Sequence, residues 1–331
     1  NQNRNNIKLN RITEKQAELD SAVTANSIQE QIAQLYVQIL YLKEMIGVTR
    51  HSHETSLKNE ERGREMMEAG KMSKADLAQL TAQTAQDKYN MVEAESNLAN
   101  YKLQLKQLLE ITGDEEFDIS SPTASDGQAL SDIPALAAVY EAALAARPEI
   151  ENGRLGIEAG KLSISIAKAG KLPTVSLTGG VGTSTTSMND RNWGTQIKTN
   201  FDASVGATLS VPIFDNRKTR TAINKARLQH EESILDLQDK QKQLYSTIEG
   251  YWLDANTNQQ KFRAAMASTE SEQASYDLLS EQFRLGLKNI VELMTGKTNL
   301  LNAQQNRLQS KYMTILDIQL LNFYRGETMN I

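Results

Sequence analysis

The sequence predicts a mainly α protein of long antiparallel helical hairpins, occurring as an internal two-fold repeat, with one β-hairpin set between the repeats. Three observations carry this. Hydrophobic residues are 39% of the 331-residue chain and aromatics only 5%, with 5 prolines. That supply is thin for one large globular core but fits long helices packed side by side. Apolar residues recur at three- and four-residue spacing through most of the chain, as at Ile28, Ile32, Leu35, Ile39, Leu42 and Ile46. A single stretch, Leu172 to Phe214, changes to a period of two.

The first helix is expected from Asn1 to about Ala69. Gly70 supplies a C-terminal cap, Ser73 an N-cap, and Asp76 a capping-box-like partner three residues on. A second helix follows to Ile111 and ends at Thr112-Gly113. Residues 114–131 are acidic and loop-like. Ser131-Asp132-Ile133-Pro134 opens a helix to about Arg147, and Pro148 opens the next, to about Ala169. From Asp215 the chain is expected to be helical to Arg284, to break at Gly286, and to resume from Asn289 to Tyr324.

The alternating stretch has two halves. In the second, Phe201, Ala203, Val205, Ala207, Leu209, Val211 and Ile213 share one face, with Asp202, Ser204, Gly206, Thr208 and Ser210 on the other. In the first, Val175, Leu177, Gly179 and Val181 share a face. Each half is about the roughly 9–11 residues that a tilted strand needs to cross a bilayer core. Phe201 and Phe214 stand where a barrel's aromatic girdles fall. Met188 to Asn200 is expected to be an exposed loop, with Trp193 an interfacial anchor or a loop-packing residue. On pattern alone, a half-buried hairpin in a soluble α+β domain is an equal reading.

The two helical hairpins align without a gap at a shift of 216 residues: Ile32 meets Ile248, Tyr36 meets Trp252, Gly70 meets Gly286, and Leu77 meets Leu293. Helices of this length extend about 100 Å at 1.5 Å per residue. They need neighbours along their whole length, which a homo-oligomeric tube supplies. Since a helix and the strand pair precede the second repeat, the same prelude is expected upstream of Asn1. The expected domains are therefore 1–111, the first hairpin; 112–170, an intervening loop and helices; 171–214, the β-hairpin; 215–325, the second hairpin; and 326–331, a C-terminal tail.

Net charge is −5 with both signs interspersed, giving no nucleic-acid footprint, and the chain has no cysteine. No apolar run is long enough for a transmembrane helix, so strands would have to make any membrane crossing. No catalytic constellation stands out, and neither a cofactor nor a metal site is expected. Met294-Thr295-Gly296-Lys297-Thr298 imitates the end of a P-loop but lacks its first glycine, the position being Val291. His51 and His53 face different sides of a helix and make a poor ligand pair. Gly153, Gly156 and Gly160 suit close helix packing.

Arg147-Pro148-Glu149-Ile150, Lys171-Leu172-Pro173 entering a strand, Val211-Pro212-Ile213-Phe214-Asp215 leaving one, and the two glycine-centred tips together resemble the TolC-type outer-membrane efflux proteins. The resemblance implies a homotrimer in which each protomer gives strands to a shared transmembrane β-barrel, in contact with outer-membrane lipid, and helices to a periplasmic tunnel. It implies docking to a periplasmic adaptor (membrane fusion) protein and an inner-membrane pump in a Gram-negative bacterium, with passage of substrate and no chemistry on it. Adaptor docking would fall on the tips: Gly70, Lys71, Met72 and Ser73, and Gly286, Leu287, Lys288 and Asn289. A lumen gate would fall on Lys288, Glu292 and Asp76, with Thr295 where some members carry a second acidic residue. The alternative is a soluble periplasmic coiled-coil scaffold or adaptor. Two in-register hairpins without flanking lipoyl-like β modules count against it.

Overall fold

The structure, a computed structural model, describes residues 2–113, 117–120 and 124–329. The expected acidic loop and C-terminal tail lie partly outside the described residues, at 114–116, 121–123 and 330–331. The elements are α1 (Gln2–Glu68), α2 (Lys74–Leu108), α3 (Asp126–Ala129), α4 (Leu136–Ala146), α5 (Pro148–Ala169), β1 (Thr174–Gly182), α6 (Trp193–Thr199), β2 (Asp202–Ser210), α7 (Lys218–Arg284) and α8 (Ile290–Tyr324). The fold is mainly α with one two-stranded antiparallel sheet. α1 and α7 are each 67 residues long, and α2 and α8 each 35. Every bound of α7 and α8 falls 216 residues after the matching bound of α1 and α2, as Gln2 and Lys218, or Leu108 and Tyr324, illustrate.

The chain forms two compact units, Asn1–Leu19 with Glu151–Asp239, and Asp20–Ile150 with Lys240–Ile331. In the first unit α5 runs against the start of α7. A Cβ on Gly153 would stand 2.8 Å from Leu237, and one on Gly160 would stand 3.1 Å from the His230 backbone. These two glycines let the helices approach, as their spacing suggested. Gly156 is less confined, its nearest neighbour being Gln16 Nε2 at 3.8 Å.

β1 and β2 pair from Thr174↔Ser210 to Gly182↔Asp202. This register sets Val175 opposite Leu209, Leu177 opposite Ala207 and Val181 opposite Ala203, so the two apolar rows fall on one face of the sheet. Both strands are shorter than the alternation suggested. Pro173 and Pro212 have no N–H to extend the ladder, so Val211, Ile213 and Phe214 lie beyond it. Phe201 likewise flanks β2 rather than ending it. The connection expected as a loop holds α6, because Asn192 Oδ1 accepts from Thr195 N at 2.9 Å and caps a helical turn. Trp193 Nε1 donates to Thr185 Oγ1 at 3.1 Å across that connection.

In the second unit both long pairs are antiparallel. Going down α1 and up α2, Gly63 meets Leu80, Ser56 meets Asp87 and Arg50 meets Glu95. In the second pair, Leu279 meets Gly296, Thr269 meets Ala303 and Asn258 meets Asp317. The repeat exchanges large for small at one contact: Gly63 against Leu80 becomes Leu279 against Gly296. α8 also packs on α1, with Ala33, Val37 and Leu40 against Tyr312, Leu316 and Leu320. The acidic stretch is not wholly irregular. Ser125 and Gln128 form a capping box that starts α3, and Arg307 pairs with Asp126 at 2.7 Å. Asp118 accepts from Lys43 and Lys102, each at 3.0 Å, and these two contacts hold its carboxyl well below the usual carboxylate range.

α2 ends three residues before Ile111. Glu110 takes a positive φ of 55° and Ile111 N returns to Lys106 O at 3.1 Å, so the helix closes on itself there.

Candidate functional site at the hairpin tips

Each tip is built the same way. At the end of α1, Gly70 N donates to Met67 O and Lys71 N to Met66 O, with Gly70 at φ 69°. At the end of α7, Gly286 N donates to Phe283 O and Leu287 N to Gln282 O, with Gly286 at φ 74°. These paired bonds close the last helical carbonyls, and the positive φ is why glycine stands at both places.

The entries into α2 and α8 differ. Ser73 Oγ accepts from Asp76 N at 3.1 Å and donates to Asp76 Oδ2 at 2.8 Å. The shorter aspartate takes the hydroxyl proton instead of reaching the Ser73 backbone. Asn289 Oδ1 accepts from Glu292 N at 3.0 Å, and Glu292 Oε2 accepts from Asn289 N at 3.2 Å, completing a reciprocal capping box. Lys288 Nζ donates to Glu292 Oε1 one turn on. The Lys288 ammonium, then the Asn289 backbone N–H, holds the Glu292 carboxyl below its ordinary range.

The two tips share one apolar core: Leu80 from α2, Tyr276 and Phe283 from α7, and Ile290, Leu293 and Leu300 from α8, with Met72 and Met294 against it. Met72 therefore points partly inward, whereas Lys71, Ser73, Leu287 and Asn289 are exposed. Thr295 is exposed and its hydroxyl donates to the Val291 carbonyl at 2.8 Å on its own helix. The fold thus brings Lys288 to Glu292 and Ser73 to Asp76.

Within the span of this core, between Leu293 and Leu300 of α8, lies a group the sequence reading did not identify. Lys297 Nζ donates to Asp87 Oδ2 of α2, to Ser56 Oγ of α1 and, at 2.8 Å, to the Ser52 carbonyl of α1. The side chains of Lys297 and Asp87 are only 8% and 1% exposed. Ser56 Oγ also donates to Asp87 Oδ2 at 2.6 Å. Desolvation lowers the Lys297 pKa, against the pull of Asp87. The signal was present in the helical phase: Lys297 falls on the stripe of Leu293 and Leu300, and Asp87 on that of Leu80 and Thr84. The lysine of the P-loop-like run is thus engaged in an interhelical ion pair.

Among the described residues no cluster of three or more His, Asp or Glu could hold a metal, and no helix is long and apolar enough to cross a membrane. Five apolar side chains of the sheet, Val175, Leu177, Val181, Val205 and Leu209, are 65–84% exposed on one face.

The family model for outer membrane efflux proteins matches residues 139–322. The chain is 22% identical over 304 residues to the outer membrane protein TolC of Vibrio cholerae serotype O1, covering 92% of this chain and 68% of that one. It is 22% identical over 291 residues to the TolC of Escherichia coli strain K12, covering 86% of this chain and 58% of that one. Among solved structures, the outer membrane protein VceC of Vibrio cholerae superposes with a TM-score of 0.82 at 16% identity, over 99% of this chain and 77% of its own.

Proposed function

The chain belongs to the outer membrane efflux protein family, and from that premise we propose that it is a trimeric exit duct whose inner end is gated at the two helical tips. Its place is the Gram-negative outer membrane, with a periplasmic extension, and it serves efflux or secretion. The observation that carries the duct reading is the β-hairpin: its apolar rows are paired on one face and left open to the outside. An isolated two-stranded ribbon is marginal in water and has two unpaired edges. Joined edge to edge with further hairpins, it closes into a barrel with its apolar face to lipid and the row of Ser176, Thr178, Ser204 and Thr208 to a water-filled lumen.

In this reading the tips meet a periplasmic adaptor through Gly70, Lys71, Met72 and Ser73, and through Gly286, Leu287, Lys288 and Asn289. An inner-membrane pump delivers the substrate. Asp76, Lys288, Glu292 and Thr295 line the closed end. Around a three-fold axis the Glu292 carboxylates repel one another, and Lys288 offsets that repulsion. Adaptor binding untwists the tips and opens the lumen.

Single-channel recording in planar bilayers tests this. The wild type is expected to conduct, with longer or more frequent openings after Lys288→Ala, which leaves the repulsion unbalanced, and shorter or rarer ones after Glu292→Gln, which removes it. Unchanged behaviour in both variants would remove these residues from the gate. A wild type that never conducts would remove the duct.

A further inference from the structure

We infer that the inner wall of the duct carries a holding site for organic anions, formed between α7 and α8 around Lys261. That this wall is the inner one rests on the duct reading above; the cavity itself does not.

The wall can be traced from the tip. Beyond Glu292 and Thr295, steps of four and three residues along α8 reach Asn299, Asn302, Asn306 and Gln309, all exposed. Such steps keep to one face of a helix. The first hairpin repeats the pattern at the shift of 216 residues: Asp76 matches Glu292, and Gln83, Gln86 and Asn90 match Asn299, Asn302 and Asn306. Asparagine is a weaker helix former than the lysine and glutamate that commonly fill a solvated face, so these three do not serve helix stability. α3 is held on another face of α8, through Ile315 and Arg307. A segment laid across the helices belongs outside a tube, since inside it would fill the bore. The amide face is therefore the one turned to the bore.

Carboxamides donate and accept without carrying charge, so they favour solutes of neither sign. Selection by charge falls to any charged group that stands among them. On this face, between α7 and α8, lies a cavity of about 580 Å³, within the size range of small-molecule sites. Asn306, Gln309 and Met313 line it from α8, and Asn258, Lys261 and Ser268 from α7. Among the described residues that line it, Lys261 alone is charged. The Asp317 carboxyl, held by Asn258 Nδ2, is 5% exposed and is not part of the lining. One ammonium set among amides and a hydroxyl suits a carboxylate or sulfonate, and Met313 with the alanines offers a surface for a carbon skeleton. A cation would meet Lys261 with no carboxylate on the wall to offset the repulsion. The repeat does not duplicate the site, for Asn258 and Lys261 correspond to Leu42 and Met45, both buried. Asn306 stands about 20 Å of helix past Glu292, so an anion held there has the Glu292 carboxylates behind it, opposing its return.

Single-channel recording with two probes of similar size tests the site: fluorescein, an organic dianion, and rhodamine 123, a cation. Fluorescein is expected to cause brief reversible closures of the wild type, and rhodamine 123 none. Lys261→Gln is expected to shorten the fluorescein closures about tenfold, the scale of one charge-assisted hydrogen bond. Lys261→Arg is expected to keep them, and Asn306→Ala with Gln309→Ala to shorten them. Lys261, Asn306 and Gln309 are exposed, so these variants leave the packing between helices in place.

A conducting wild type without fluorescein closures, closures unshortened in Lys261→Gln, or equal closures with rhodamine 123 would overturn the site on the inner wall. Fluorescence polarisation of fluorescein on the detergent-solubilised protein separates this from failure of the duct reading. If the wild type never conducts, the duct falls; about tenfold weaker binding in Lys261→Gln then supports the cavity as an anion site, and equal binding overturns it.

Discussion

Asp317 illustrates how a single side chain in the α7–α8 pair carries a measurable consequence. It is 5% exposed, and its carboxylate accepts from Asn258 Nδ2 at 2.9 Å. Burial pushes its pKa up to about 7, the Asn258 bond opposes the rise, and the nearby Asp254 charge adds to it. The folded pKa thus lies above the unfolded value of about 3.9. Between those two values the folded state holds the extra proton, so this site favours folding at low pH and loses that advantage as pH rises toward 7, by up to about 1.4 kcal/mol per pH unit. Asp317→Asn keeps the acceptor and removes the charge. Its melting temperature is expected to exceed that of the wild type at pH 8 and to match it near pH 4. Equal differences at both values would show that the carboxyl is not neutralised by burial.

At the scale of elements, the tips were legible because their chemistry is local. Gly70, Ser73, Gly286 and Asn289 sit within a few residues of the bonds they make. Pro148 marks the first residue of α5 for the same reason. α6 was missed although Asn192 and Thr195 carry a capping pattern, because a polar stretch between two strands suggests a loop. Lys297 and Asp87 were missed because 210 residues separate them, and each alone is one charged residue on its helix's buried stripe, with no partner visible in its own neighbourhood of the sequence. Arg147 was singled out for its motif. Its contacts, an ion pair to Glu30 at 3.3 Å, one to Glu149 at 2.8 Å and a stack 4.2 Å over the Tyr324 ring, needed the fold. The two caps predict a difference between the tips. Asn289→Ala removes a reciprocal box and is expected to cost about 1 kcal/mol at the start of α8. Amide exchange at Glu292 and Leu293 would quicken while the middle of α8 is unaffected. Exchange unchanged at those amides would mean that the shared tip core, not the cap, holds the first turn of α8.

At the scale of the whole molecule, the repeat is the feature the sequence carried best. An apolar phase maintained over two hairpins survives loss of sequence identity, since each long helix needs a continuous stripe to pack. The strand pair was equally plain in its alternation, but its lengths depended on where Pro173 and Pro212 stop the ladder. The central claim is that this hairpin is a stave of a membrane barrel, with one face to lipid and the other to water. Because the chain has no cysteine, single cysteines report each face directly. The measurement is labelling in intact outer membranes by a water-soluble and a lipid-soluble maleimide. The account predicts that cysteines replacing Leu177 and Val205 react only with the lipid-soluble reagent, and that those replacing Ser176 and Ser204 react with the water-soluble one. Equal reaction of all four with the water-soluble reagent would contradict it.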